Sequence, residues 1–395
     1  MRVVVAPDKF KGSLTADQAA AALSAGLRRA RPDLEISEIP VADGGDGTVV
    51  AALAAGFEPV PVTVEGPVGA PVRAVFALRD GTAVIELASA SGLRCLAGPG
   101  PTAQTSLTAS TYGTGQLIAT ALDRGTGTIV LGLGGSASTD GGAGMIQALG
   151  AKLAAGPPSR AGLAADGPPG LRGDRAGADF ARGGAALADL ASVDSSGLDP
   201  RLAGVRLLVA SDVNNPLLGP DGAAAVFGPQ KGAGPGQVAG LEGGLRRWAE
   251  LTGAATGTDL AGAPGAGAAG GTGFAALAYL GATLVPGVNL VLDLVGFDAA
   301  VDGADLVVTG EGSLDRQTLG GKAPLGVARA AGRRGVPVIA VAGRVLLGRD
   351  ELIAAGFSAA YALTDAEPDL AASMARAAEL LEQAGARIAV GLGPG

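Results

Sequence analysis

The chain opens on a short apolar run, Arg2 to Ala6, closed by Pro7, which reads as a buried strand. Thr15 and Gln18 then have the spacing of a capping box. Ala16, Ala19, Ala20, Leu23 and Leu27 recur on one face of the helix that follows. Arg28 and Arg29 fall near its C-terminus, where the helix dipole favours cations. Glu35 to Val41 reads as a second strand, and the stretch Asp43 to Thr48, with three glycines, opens another helix. A βαβα start predicts a parallel sheet covered on both faces.

The pattern changes after about residue 60. Val60 to Val64, Val72 to Leu78 and Ala83 to Leu87 alternate or run short between Gly and Pro, as antiparallel strands do. Thr128 to Leu131 and Arg206 to Ala210 are further short strands. Residues 154–182, rich in Pro, Gly and Ala, read as a loop insertion, and 253–273 as a low-complexity Ala/Gly stretch, either loop or close-packed backbone. The α/β rhythm returns near residue 290, with strands at Asp305 to Thr309 and Val336 to Ala342 and helices at Ala323 to Arg333 and Leu370 to Ala384. The simplest organisation is α/β with two domains. A discontinuous flavodoxin/Rossmann-like parallel-sheet domain (1–60 and 290–395) is interrupted by a mixed α/β domain (61–289), with an interdomain cleft as the expected ligand site.

Composition narrows the chemistry. The chain of 395 residues contains no histidine, which removes a Ser-His-Asp triad, a Cys-His pair and His-ligated zinc. A general base must then be Asp, Glu, Lys or Tyr, and a metal held by oxygen favours magnesium. The net charge of −8, with no long basic run, argues against nucleic acid. One cysteine, Cys95, suits a reducing compartment. Asp8 and Lys9 follow too brief an apolar run for a signal peptide, and no apolar stretch reaches membrane-spanning length. A cytoplasmic protein with no membrane partner is therefore expected.

Five clusters place Asp, Glu or Lys beside Gly at the ends of strands, where ligands bind in open parallel sheets. Asp8, Lys9, Lys11 and Ser13 form the first, before a helix N-terminus suited to an anion. Asp43 and Asp46 sit among glycines in the second. The third runs from Leu131 to Gly144 and includes Gly134, Gly135, Ser136, Ser138, Thr139 and Asp140. It reads as a phosphate cradle, although Gly132, Gly134 and Ala137 also match a degenerate dinucleotide fingerprint. The fourth holds Asp212, Asn214 and Asn215, then Lys231 in a Pro/Gly-bounded turn. In the fifth, Glu311 and Asp315 are spaced to share a loop and a magnesium ion, with Gln317, Thr318 and Lys322 beyond. A P-loop is missing, and the His-Arg-Asp loop of protein kinases is impossible without histidine.

Taken in order, the stretches Ala6 to Leu14, Pro40 to Thr48, Gly134 to Gly144, Ser211 to Leu217, Phe227 to Ala233 and Thr309 to Lys322 resemble the motifs of the bacterial glycerate kinase family along nearly the whole chain. Lys9 stands where that family usually has Ser, Asp46 where it has Glu, and Ser211 where it has Cys. The resemblance implies magnesium-dependent transfer of the ATP γ-phosphoryl group to D-glycerate, usually giving 2-phosphoglycerate. For such a reaction Lys11, Lys231 and Lys322 would neutralise charge, and Asp212 or Asp43 would accept the hydroxyl proton. Asp8, Lys9, Ser13, Asp46 and Asn214 would meet the substrate. Gly134, Gly135, Ser136, Asp140 and Gln317 would meet the nucleotide, and Glu311 and Asp315 the metal. Competing readings are a dinucleotide-dependent oxidoreductase and a non-enzymatic small-molecule sensor. A homodimer is one assembly the sequence leaves open.

Overall fold

The computed structural model describes residues 1–98, 100–156 and 180–392, so most of the expected 154–182 insertion lies outside the described residues. The strands are β1 Arg2–Pro7, β2 Glu35–Glu38, β3 Glu58–Glu65, β4 Pro71–Arg79, β5 Thr82–Glu86, β6 Thr128–Gly132, β7 Lys152–Ala155, β8 Leu190–Asp194, β9 Arg206–Ala210, β10 Thr283–Val285, β11 Leu306–Leu314, β12 Val338–Val345 and β13 Ala359–Ala362. They fall into two compact units, Met1–Phe57 with Pro286–Gly395, and Glu58–Val285.

The first unit is a five-stranded sheet in the order β13-β12-β11-β1-β2, parallel throughout. Read from the β2 edge this is the flavodoxin-like order 2-1-3-4-5. The near-continuous apolar character of β1 follows from burial on both faces. Val3 and Val5 pack with helices Ala16–Ala30 and Ala377–Gly391, while Val4 and Ala6 pack with helices Gly287–Leu294 and Ala323–Gly332. The topological switch point lies between β1 and β11, where β1 ends at Pro7 opposite Gly310 while β11 runs on to Leu314 against β12. Asp8, just after β1, and Glu311, in the part of β11 that extends beyond β1, therefore lie where doubly wound sheets bind their ligands.

Several boundaries differ from the sequence pattern: β11 runs on to Leu314 rather than Thr309 and β12 to Val345 rather than Ala342. β2 ends at Glu38 rather than Val41, although Ile39 and Val41 still donate to the carbonyls of Val5 and Pro7. The final helix is two, Leu370–Ala375 and Ala377–Gly391, broken at Arg376 (φ −106°, ψ 17°). The Arg376 guanidinium pairs with Glu367 and Glu379 at this bend, which apolar periodicity does not reveal.

The second unit carries a six-stranded sheet, β10-β9-β6-β5-β4-β3, and a separate two-stranded antiparallel sheet, β7-β8. β10, β9, β6 and β5 are parallel, and β4 and β3 are added antiparallel. Its core uses the scarce aromatics: Trp248 is fully buried, stacked on Tyr279 at 5.7 Å between centroids and edge-on to Phe274 at 6.4 Å. The low-complexity stretch is close-packed from Gly265 to Gly273 and open around Gly257 and Gly262. Helix Pro235–Thr256 ends at Gly257, and helix Ala268–Leu280 begins with Ala269, Gly270 and Gly271 in left-handed conformations. A Cβ on Gly270 would lie 2.1 Å from the Ser138 carbonyl oxygen, so only glycine fits against that loop. Among the described residues no helix is long and apolar enough to cross a membrane.

Helices Ala16–Ala30 and Ala377–Gly391 cross where Gly26 and Gly385 let the backbones touch; a Cβ on Gly26 would meet the Glu382 carbonyl oxygen at 1.9 Å. Gly-to-Ala inside a helix normally gains about 1 kcal/mol. At Gly26 the contact reverses the sign, and Gly26→Ala is expected to cost about 1–3 kcal/mol, seen as a lower Tm on thermal unfolding.

Candidate active site

In the first unit the site begins as β1 ends. The Asp8 amide donates to the Gly310 carbonyl (2.8 Å), which ties the loop to β11. Asp8 Oδ1 accepts from the Lys9 amide (2.6 Å) and lies 3.6 Å from Lys9 Nζ, which itself donates to the Asp46 carbonyl (2.7 Å). Asp8 is only 4% exposed. Burial pushes its carboxyl up to about 7 despite the pull of Lys9, and the charges of Asp43 and Glu311 add to the rise. Burial works against the Lys9 charge as well, but Asp8, Asp43 and Asp46 hold that ammonium above its ordinary value.

The Asp43–Thr48 turn is shaped by its own backbone. Asp43 Oδ1 accepts from the Gly45 amide (3.1 Å), Thr48 Oγ1 donates to the Gly45 carbonyl (2.7 Å), and Gly47 (φ +104°) turns the chain into helix Thr48–Ala54. Ser13 Oγ donates to the Phe10 carbonyl (3.0 Å), while Lys11 in the same turn is exposed. Across the switch point Glu311 is buried at 5% exposure. Its Oε1 accepts from Thr318 Oγ1 (2.5 Å) and its Oε2 from Lys322 Nζ (3.5 Å). Burial raises the Glu311 carboxyl, against the pull of Thr318 and Lys322, and Asp315 adds to the rise. Asp315 accepts from the amide of exposed Gln317 (2.8 Å). Thr318 emerges as the organiser of this turn, since its hydroxyl also accepts from the Asp315 amide (3.1 Å).

The second unit presents a different edge. After β6 the loop through Gly134 and exposed Gly135 runs over Lys231, which is 2% exposed. Lys231 Nζ donates to Ser136 Oγ (2.8 Å) and to the Ser138 carbonyl (2.5 Å). Burial pulls this ammonium down to about 7, with Asp140 opposing the fall. The buried hydroxyls of Ser138 and Thr139 have no hydrogen-bond partner among the described residues. Asp140 turns inward: its fully buried carboxylate accepts from the Thr111 amide and hydroxyl (both 2.8 Å) and from the amides of Gly142 and Gly144. A direct nucleotide contact by Asp140, as the sequence pattern suggested, does not fit that arrangement. Asp212 and Asn214 are exposed just beyond β9, whereas Asn215 is committed to the Asp221 carbonyl (2.8 Å).

Glu86 escaped the sequence reading. It ends β5 opposite Gly132, is 3% exposed, and pairs with Arg94 at 3.2 Å. Its signal was a single carboxylate closing an otherwise apolar run. The dinucleotide fingerprint also loses its structural context. The helix after β6 starts only at Ala143, well past Gly134 and Ala137, so those residues do not form a strand-to-helix pyrophosphate turn.

Two α/β units with lysines and carboxylates at their strand ends, and neither a P-loop nor a protein-kinase loop, define a phosphotransferase of a separate class. The model of the glycerate kinase family matches residues 3–392, and the chain belongs to that family. A glycerate kinase of Halalkalibacterium halodurans is 45% identical over 98% of this chain and 97% of its own length. A glycerate 2-kinase of Escherichia coli is 43% identical over 87% of this chain and 85% of its own. A solved structure described as glycerate kinase 2, from Salmonella typhimurium LT2, superposes with a TM-score of 0.81 at 40% identity, covering 99% of this chain and 98% of that one.

Asp8 gives a test of the site's cost. Its carboxyl titrates near 7 when folded, against about 3.9 unfolded. Between those values the folded state keeps a proton the unfolded state has lost, so this group removes stability as pH rises from about 4 to about 7. Asp8→Asn is expected to be more stable than the parent at pH 8 by as much as about 4 kcal/mol, at about 1.36 kcal/mol per pKa unit. The gain should shrink toward pH 4, as read by urea unfolding of the ligand-free chain.

Proposed function

We propose that the protein transfers the γ-phosphoryl group of ATP to a hydroxyl of D-glycerate, giving 2-phosphoglycerate and ADP. The observation that carries this reading is Lys231, an ammonium buried beneath a glycine-rich loop beside two buried, unpartnered hydroxyls. A phosphate oxygen is an acceptor suited to those donors, and its charge would restore the ammonium that burial weakens. Gly134, Gly135 and Ser136 then line the phosphate with backbone and hydroxyl donors.

Asp212 is the proposed acceptor of the glycerate hydroxyl proton. It is an exposed carboxylate just beyond the C-terminal end of a central parallel strand, whereas Asp140 is buried and turned inward. Asp43, the other candidate, is partly committed to shaping its own turn. In the first unit Lys9, Lys11 and the end of the Ser13 turn offer positive charge to a carboxylate or phosphate, and Lys322 offers it at the start of helix Ala323–Gly332.

Magnesium fits the carboxylate chemistry of that unit. Among the described residues no group of three or more acidic or His/Cys side chains is arranged to hold a metal alone. Magnesium, however, is commonly held by one or two carboxylates together with phosphates and water. Glu311, crowded by Asp315, is the proposed protein ligand, with Asp315 as its companion. When bound, the ion would supply charge neutralisation on the phosphate oxygens. The single cysteine is consistent with work in a reducing cytoplasm.

The test is ATP-dependent turnover of D-glycerate with magnesium, followed through enolase with phosphoglycerate mutase left out. Signal is the expected result. ADP release without signal would place the phosphate on the other hydroxyl, and no ADP release would overturn the substrate. Asp212→Asn is expected to lower kcat by roughly 10²- to 10⁴-fold with little change in KM for ATP. A near-parental rate would remove Asp212 from the base role.

A further inference from the structure

The loop from Gly134 to Gly144 is held by more than its glycines. The Ala137 amide donates to the Ser91 carbonyl (2.9 Å), the Gly141 amide to the Gly270 carbonyl (2.9 Å), and Trp248 Nε1 to the Gly141 carbonyl (3.0 Å). These contacts fix its flanks. The centre depends on one buried pair. Thr111, just before helix Tyr112–Asp123, gives both its amide and its hydroxyl to Asp140 Oδ2, and the same hydroxyl accepts from the Met145 amide (2.9 Å). The Gly144 amide completes Oδ2 (3.3 Å), and the Gly142 amide bonds Oδ1 (3.2 Å). One carboxylate thus pins the starts of two helices and the last turn of the loop. Asp140 is also the charged group whose field acts on Lys231, and Lys231 grips the loop two residues earlier, at the Ser138 carbonyl.

We propose that Asp140 is a positioning residue for phosphoryl transfer, acting not on the nucleotide but through a Thr111–Asp140 latch that fixes the loop and through its charge on Lys231. This deepens the reading above, in which Lys231 faces phosphate. The latch sets where the Ser136 and Ser138 donors stand, and the carboxylate supplies the counter-charge that a desolvated ammonium needs. A wholly structural Asp140 would affect stability alone. A positioning Asp140 also sets the charge state of a lysine on a different segment.

The chain has only five lysines (Lys9, Lys11, Lys152, Lys231 and Lys322), so selective ¹³Cε-lysine labelling of the full protein gives a spectrum in which each can be followed. Lys231 is assigned by the signal lost in Lys231→Met. Its titration midpoint is expected near 7 in the parent, and roughly one unit lower in Asp140→Asn. In parallel, Thr111→Val, which breaks the latch without changing charge, is expected to lower kcat roughly 100-fold with little change in KM for ATP. Thr111→Ser, which keeps the hydroxyl, should restore most of the rate. An unshifted Lys231 midpoint in Asp140→Asn, or a parental kcat in Thr111→Val, overturns the inference. If Asp140→Asn does not fold, the Thr111 pair decides it alone. A Lys231 signal unmoved by added ATP would overturn the phosphate assignment itself and take this inference with it, an outcome separable from an unshifted midpoint.

Discussion

Taking a lysine ammonium out of water sets the terms for the second unit. Lys231 has almost no access to solvent, and its ammonium leans on one hydroxyl, one carbonyl and the field of one carboxylate. Such burial costs several kcal/mol unless hydrogen bonds and counter-charge offset it. Everything near it serves that end. The loop folds over the side chain, Asp140 is desolvated with four donors around it, and Gly270 and Gly271 let a helix start press directly on the loop backbone. Removing any one of these groups leaves another charge or dipole stranded in a low-dielectric interior, so they are coupled and not additive.

Part of the high glycine content has its explanation in packing of the same kind. A core poor in aromatic rings must pack by bringing backbones together, and glycine permits approaches that a methyl group forbids. The Gly26 and Gly385 helix crossing and the Gly270 contact with Ser138 are two forms of one solution. The few large side chains are reserved for fixed supports. Trp248, the only tryptophan, spends its indole N–H on the Gly141 carbonyl, making an aromatic anchor for the loop out of a core residue.

Much of this was legible in the sequence, and the limits are physical. The parallel start was readable because β1 is apolar on both faces and the first helix keeps a clean apolar stripe. The strand-end clusters were readable because Asp, Lys and Gly together at the end of an apolar run have few other uses. Orientation was not. Ser136 and Asp140 sit in one motif, yet one meets a buried lysine and the other turns toward Thr111, a residue outside every motif. Glu86 was hidden for the same reason, since its neighbour Gly132 is set by strand pairing and not by sequence distance. The break at Arg376, where the side chain pairs with Glu367 and Glu379, falls inside an unbroken apolar period and so left no mark in the pattern.

The two strand edges are opposite in character and alike in poise. At the switch point of the first unit, buried acids crowd one another and Asp8 titrates upward toward neutrality. In the second unit a buried cation titrates downward toward the same range. Each group is destabilised in its charged form by burial, so a nearby charge of opposite sign would restore it. The energy held as desolvation in the free protein would reappear, within each unit, as selectivity for a ligand of the opposite charge.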